Sequence, residues 1–181
     1  MNRLTLVRVR ALTDLIEQLT EFPAAKTNCK PLIITGNDEY FSVGADLNEV
    51  AALSSTDALA FARYGQSLMN VLDRFPAPVY AAISGYCMGG GLDLALACDF
   101  RVCSANAIFG HRGAALGLIT GWGGTQRFSA LLGPPRALQM FVGAERLQAR
   151  DAQGLGLVCE IDSDPLMRCL DLIARRTAEL D

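Results

Sequence analysis

Leu12, Leu15, Ile16 and Leu19 recur at helical spacing, which predicts a helix from about Ala11 to Glu21 that stops before Pro23. Thr27 to Lys30 then lead into a short apolar run, Pro31 to Gly36, that reads as a buried strand closed by a turn. A glycine-containing loop follows from Phe41 to Leu47, and Asn48 to Leu53 make a turn of helix. In the next periodic stretch Phe61, Leu68, Leu72 and Phe75 share one side of a helix from Thr56 to Arg74, ended by Pro76 and Pro78. Val79 to Ser84 reads as a second buried strand, turning at Gly85 into Tyr86-Cys87-Met88 and then into Gly89-Gly90-Gly91. A short apolar helix, Leu92 to Cys98, begins there.

The remainder continues the alternation. Asp99 to Cys103 and Ala107 to Phe109 read as strands, and Gly121 to Gly124 is a tight turn that opens a helix. Pro134-Pro135 starts another helix, with proline tolerated in its first turn, and Gly143 stops it. Ala149 to Leu155 is helical, Gly156 a turn, Leu157 to Ile161 an edge strand, and Leu166 to Leu180 an amphipathic helix. Helix, proline break and buried strand in succession predict an α/β fold of stacked β-β-α or β-α units around a mostly parallel sheet. No linker interrupts the pattern, so residues 1–181 read as one domain.

Composition narrows the possibilities. The chain is 51% hydrophobic and 19% charged, a globular profile, with a net charge of −3 and no basic cluster of the kind that nucleic acid requires. Apolar runs break before they are long enough to span a bilayer, so no membrane partner is expected. Arg3, Arg8 and Arg10 punctuate the start, where a targeting segment would need an unbroken apolar core. Six cysteines without a CxxC pair, and a single histidine, predict no metal site and reduced thiols, several of them buried, as suits a cytoplasmic protein. A reactive Cys87 beside the glycines is the functional alternative.

Three successive glycines make physical sense where something must approach the main chain closely. At the mouth of a helix that something is usually an electron-rich oxygen, because the first amides lack intrahelical partners and the dipole is positive there. The loop from Phe41 to Leu47 offers another free amide, at Ala45. Two such donors from separate parts of a chain are what an oxyanion hole requires. The structural alternative is that Gly44 and the triplet only permit tight turns and close helix packing.

Phe41 to Leu47, Ser84 to Asp99 and Gly117 to Arg127 together resemble the crotonase, or enoyl-CoA hydratase/isomerase, superfamily, in order and in approximate spacing from about Ala11 to Ile161. The resemblance implies a crotonase-like ββα spiral. It places the amides of Ala45 and Gly90 around the thioester carbonyl of an acyl-CoA, with Val43, Asp46, Leu47 and Gly89 along the substrate groove. Coenzyme A would enter as part of the substrate, with no separate cofactor. It also implies a homo-oligomer, trimer or hexamer, and a shortened member of the family, or a fragment, in which the strands before the first helix and the terminal helices are largely absent.

The acid–base residues depart from the family's hydratase pattern. A typical hydratase carries one glutamate two residues after the glycine triplet and a second after the Phe-Gly pair; here these positions are Asp93 and Gly113. Asp93 reads either as a base or as an acidic residue that the helix dipole favours in a first turn. His111, two residues before Gly113, either replaces the lost carboxylate or is a hydrogen-bonded loop residue. Arg112 and Trp122 either line the pocket or cover the protein. Gly113 itself resembles a naphthoate synthase branch, where glycine leaves room for a bound small anion. The expected function is therefore stabilisation of a thioester enolate with one base, as in double-bond isomerisation, rather than hydration by two carboxylates. The alternative is a non-catalytic CoA-binding or assembly subunit.

Overall fold

The computed structural model describes residues 1–21 and 29–179. The predicted stop before Pro23 and the lead-in at Thr27 lie outside the described residues. The chain opens with β1 (Arg3–Leu4), α1 (Leu6–Glu21), β2 (Leu32–Thr35), β3 (Tyr40–Ser42) and β4 (Gly44–Ala45). Helices α2 (Leu47–Ala51) and α3 (Ser55–Asp73) precede β5 (Val79–Ile83), β6 (Tyr86–Met88) and α4 (Gly90–Leu96). Then come β7 (Phe100–Cys103), β8 (Ile108–Gly110), a 3₁₀ turn over Gly113–Leu116, α5 (Gly124–Leu132) and α6 (Pro134–Val142). The described chain closes with β9 (Arg146–Gln148), α7 (Ala149–Gly154), β10 (Glu160–Ile161) and α8 (Pro165–Ala178).

Apart from a two-stranded β1-β4 pair, the strands are dealt to two four-stranded sheets. The first has the order β10-β7-β5-β2 and is parallel throughout. The second runs β3-β6-β8-β9, parallel except for the β8–β9 pair. Thus β2 then β3, β5 then β6, and β7 then β8 each place one strand in each sheet, and α4 returns the chain after β6. This is the expected ββα spiral, and the repeat lies in the topology rather than in the residues. All five residues of β5 are buried, as a central strand covered on both faces must be.

One expectation near the start needs correction: the helix begins at Leu6, five residues before the predicted Ala11. Before it, the two-residue β1 pairs in parallel with β4. Thr5 starts the helix, accepting from Arg8 N at 3.3 Å, while the Glu49 carboxylate takes the free Leu6 N–H at 2.8 Å. Arg8 and Arg10 interrupt the apolar run in sequence but lie on the outer face, leaving Val9 and Ile16 buried. The segment read as a loop from Phe41 to Leu47 contains β4 and most of β3, and β9 has no counterpart in the sequence reading. Strands of two or three residues are too short to show an alternation.

Arg101 locks the far end of α4. Buried within β7, it donates from Nη1 to Ala95 O at 3.4 Å and Cys98 O at 2.5 Å, carbonyls left open where the helix ends, and from Nε to Leu157 O at 2.7 Å in the loop before β10. Arg101→Met should destabilise the fold by about 3 kcal/mol, since it strands buried carbonyls that now bond to a charged donor. Urea unfolding checks this; a midpoint unchanged from the unmodified protein would show that Arg101 contributes no such lock. Cys87, Cys98, Cys103 and Cys169 are buried, and desolvation pushes the last three thiols up to about 12. Cys87 is raised as well, chiefly by burial, and its Sγ donates to Gly91 O at 3.6 Å, so it is a core residue and not a nucleophile.

Candidate functional site

Gly89, with φ of 53°, turns the chain out of β6 into α4. Its N–H bonds Gly110 O at 2.9 Å, and its carbonyl accepts from Leu92 and Asp93 at 2.9 and 3.1 Å. Gly90 is the first helical residue, so its N–H has no intrahelical acceptor.

The other backbone arrives from β4. Ser42 sets it by donating to Asn2 O at 2.9 Å and accepting from Gly44 N at 3.1 Å. Gly44 has φ of 83°, and a Cβ there would lie 2.6 Å from Gly90 N and 2.8 Å from Met88 O. A Cβ on Gly90 would lie 3.4 Å from Ala45 N. The two main chains therefore meet with no side chain between them, and Ala45 and Gly90 line one cavity. Gly91 fits the packing explanation instead: a Cβ there would sit 2.5 Å from Ser42 O, where the helix rests on β3.

That cavity holds about 420 Å³ and is mostly apolar. Val43, Ala45 and Leu47 form one wall, and Met88, Gly89 and Gly90 form the floor. Trp122 closes the roof, 4% exposed, with its ring centroid 5.2 Å from that of Phe61. Only glycine fits beneath it, since Cβ atoms on Gly65 and Gly90 would come within 2.1 and 2.5 Å of its ring. Trp122 and Arg112 both line the cavity, which decides the alternatives open for them in the sequence. A larger groove of about 780 Å³, lined by Asp73, Asp99, Arg101 and Arg127, contains neither amide donor.

Asp93 also reaches the cavity, although the whole residue is buried. Thr120 donates its hydroxyl to Oδ2, and His111 Nε2 lies 3.3 Å from Oδ1. The carboxylate rests against the start of α5, where a Cβ on Gly124 would overlap Oδ1. His111 lies in the loop after β8 and is hydrogen-bonded, one of the two alternatives open for it in the sequence, and it also lines the cavity. It is 8% exposed, touches Asp93, and has its ring centroid 5.2 Å from that of Phe141. Thr120 was invisible to sequence reasoning: 27 residues separate it from Asp93, and a lone threonine in a glycine-rich turn carries no signal.

Gly113 lines the same cavity but is closed in. Its carbonyl accepts from Leu118 N at 2.9 Å, and a Cβ on it would lie 2.7 Å from Leu118 O. A carboxylate side chain could not be restored there without moving this loop. The carbonyl facing that space is an acceptor, which disfavours a bound anion.

Asp46 is the exception among the expected groove residues. It caps α2, accepting from Asn48 N at 2.9 Å, and pairs with Arg3 Nη1 at 3.0 Å. The Asn48 amide, then Arg3, holds its carboxyl below the usual range. Its side chain ties β1 to α2 and is not among those lining the cavity. Among the described residues, no three His, Cys, Asp or Glu side chains gather as a metal ion would need, and no helix is long and apolar enough to cross a membrane.

Comparison with known proteins gives the arrangement a context. The family described as enoyl-CoA hydratase/isomerase matches residues 4–177. A crotonyl-CoA hydratase of Syntrophomonas wolfei is 36% identical over 162 residues, covering 89% of this chain and 60% of the relative. Among solved structures, Pseudomonas aeruginosa DspI superposes with a TM-score of 0.86 at 35% identity, covering 93% of this chain and 64% of that one. An enoyl-CoA hydratase of Bacillus anthracis gives 0.82 at 31% identity, covering 98% and 66%. The chain therefore spans 60–66% of the length of these relatives, less than two thirds.

Proposed function

The chain belongs to the enoyl-CoA hydratase/isomerase family, and from that premise we propose that it binds an acyl-CoA thioester and carries its enolate, with Asp93 as the one base. The observation that supports this most is the meeting of the Gly44-Ala45 and Gly89-Gly90 backbones at the floor of an apolar cavity that also contains one buried carboxylate. Asp93 takes a proton from the carbon beside the thioester. The electron pair moves onto the carbonyl oxygen, where the Ala45 and Gly90 N–H groups receive it, each contributing about 3 kcal/mol to the transition state. The proton then returns to the same carbon or, in a substrate with a double bond between C3 and C4, to C4, which moves the double bond into conjugation with the thioester.

Isomerisation and proton exchange fit better than hydration. Hydration needs a group to activate water while another handles the α-proton, and the second carboxylate position is Gly113, closed by Leu118 O. CoA belongs to the substrate in this reading, and assembly into trimers or pairs of trimers is part of it, for which sedimentation velocity is the check. The chemistry is tested with three probes: deuterium uptake at C2 of butyryl-CoA in heavy water, isomerisation of 3-hexenoyl-CoA, and hydration of crotonyl-CoA. Exchange and isomerisation faster than hydration support the proposal. Calorimetric binding of these esters without turnover on any of them would favour the CoA-binding subunit instead.

A further inference from the structure

We propose that His111 is a positioning residue that, with Thr120, holds the Asp93 carboxylate from both sides and presents it to the cavity. The inference rests on the reading of Asp93 as the base.

The hydrogen bonds themselves assign the protons. Thr120 Oγ1 accepts from Trp122 N at 3.2 Å, so its single hydrogen is free to go to Asp93 Oδ2. On the other side, an ionised Oδ1 and an unprotonated Nε2 would set two lone pairs facing each other at 3.3 Å, which is repulsive. His111 Nε2 therefore carries a hydrogen and donates it. The carboxylate receives one donor on each oxygen, both from buried or half-buried side chains, and is fixed in rotation.

Fixing that rotation matters here more than for a longer acid. Asp93 stands where relatives of the hydratase pattern carry glutamate, and its carboxylate reaches the cavity on a shorter stem. A small rotation would turn the reactive lone pair away from the substrate, and misplacement of this kind weakens catalysis steeply. His111 is itself held, wedged between the Asp93 carboxylate and Phe141, and it lines both the main cavity and an apolar pocket of about 370 Å³ behind it. Arg112 is the other charged residue that lines the main cavity, and it is exposed, while the buried His111 and the half-buried Thr120 contact the carboxylate directly.

The test has two arms. In the first, His111→Leu and Thr120→Val should each lower kcat for C2 deuterium exchange on butyryl-CoA by roughly tenfold to a hundredfold, with KM nearly unchanged. His111→Gln, whose amide N–H can occupy the place of Nε2, and Thr120→Ser should recover most of that loss. Should His111→Leu and His111→Gln both exchange at the unmodified rate while Asp93→Asn is inactive, this inference fails and the reading of Asp93 survives. Should Asp93→Asn be fully active, the reading of the base fails whatever His111 does.

The second arm needs no turnover and no mutation. His111 is the single histidine of the chain, so ¹⁵N-histidine labelling gives one set of imidazole signals without ambiguity of assignment. In alkaline buffer, two-dimensional ¹H–¹⁵N spectra should show the tautomer with hydrogen on Nε2. A ring with its hydrogen on Nδ1 and a bare Nε2 would overturn the assignment.

Discussion

Asp93→Asn should reduce deuterium exchange at C2 of an acyl-CoA by about 10²–10⁴-fold, the range expected for losing a general base. The substitution keeps size and shape, so it removes basicity with little change in packing. It does disturb the polar cluster: asparagine offers one oxygen where the carboxylate offers two, and Thr120 and His111 both aim donors at residue 93. One donor is then left against an NH₂ group, which should cost about 1–3 kcal/mol of stability. An unfolding curve run beside the kinetics separates the two effects. Lost activity in a protein that still unfolds cooperatively above the assay temperature assigns the loss to chemistry, whereas an unaffected rate would remove Asp93 from the mechanism.

Gly44→Ala should be nearly as damaging, by about 10²–10³-fold in kcat, without touching any ionisable group. The added methyl would lie 2.6 Å from Gly90 N and 2.8 Å from Met88 O, both backbone atoms. It also forces alanine to φ near 83°, a conformation that costs about 1–2 kcal/mol for a residue with a Cβ. The chain relieves both by separating the two loops, and the amides of Ala45 and Gly90 no longer serve one oxygen. Gly91→Ala is the control, because its methyl meets Ser42 O at 2.5 Å on the packing side of the helix rather than between the amides. It should lower the unfolding midpoint more than it lowers kcat relative to Gly44→Ala. Equal kinetic losses in the two variants would mean that the effect is general disruption of α4.

Local chemistry explains which parts of this structure the sequence disclosed. Helix α3 carries several turns of apolar periodicity ended by prolines, and α6 opens on Pro134-Pro135 and stops at Gly143, so both were readable. The five-residue strand β5 was readable too, from its unbroken apolar run before Gly85. The short strands β3, β4 and β9 were not, because two or three residues cannot display an alternation and their pairing is decided by distant partners such as Arg3 and Leu4. Gly44 and the triplet stood out because glycine at a close backbone approach is a local requirement. The Asp93 cluster depends instead on contacts 18 and 27 residues away, made only when β8 and the turn before α5 fold over α4. Asp46 lay inside a recognisable motif but serves the start of α2, which shows that proximity to a motif does not assign a role to every side chain in it.

Infrared difference spectroscopy of a ¹³C-carbonyl-labelled crotonyl-CoA thioester reads the key contact without any assumption about the reaction that follows. If the Ala45 and Gly90 N–H groups both bond the thioester oxygen, binding should move the labelled carbonyl stretch to lower frequency than in buffer, and Gly44→Ala should return it most of the way. A bound thioester whose carbonyl absorbs where the free ester does would contradict the account.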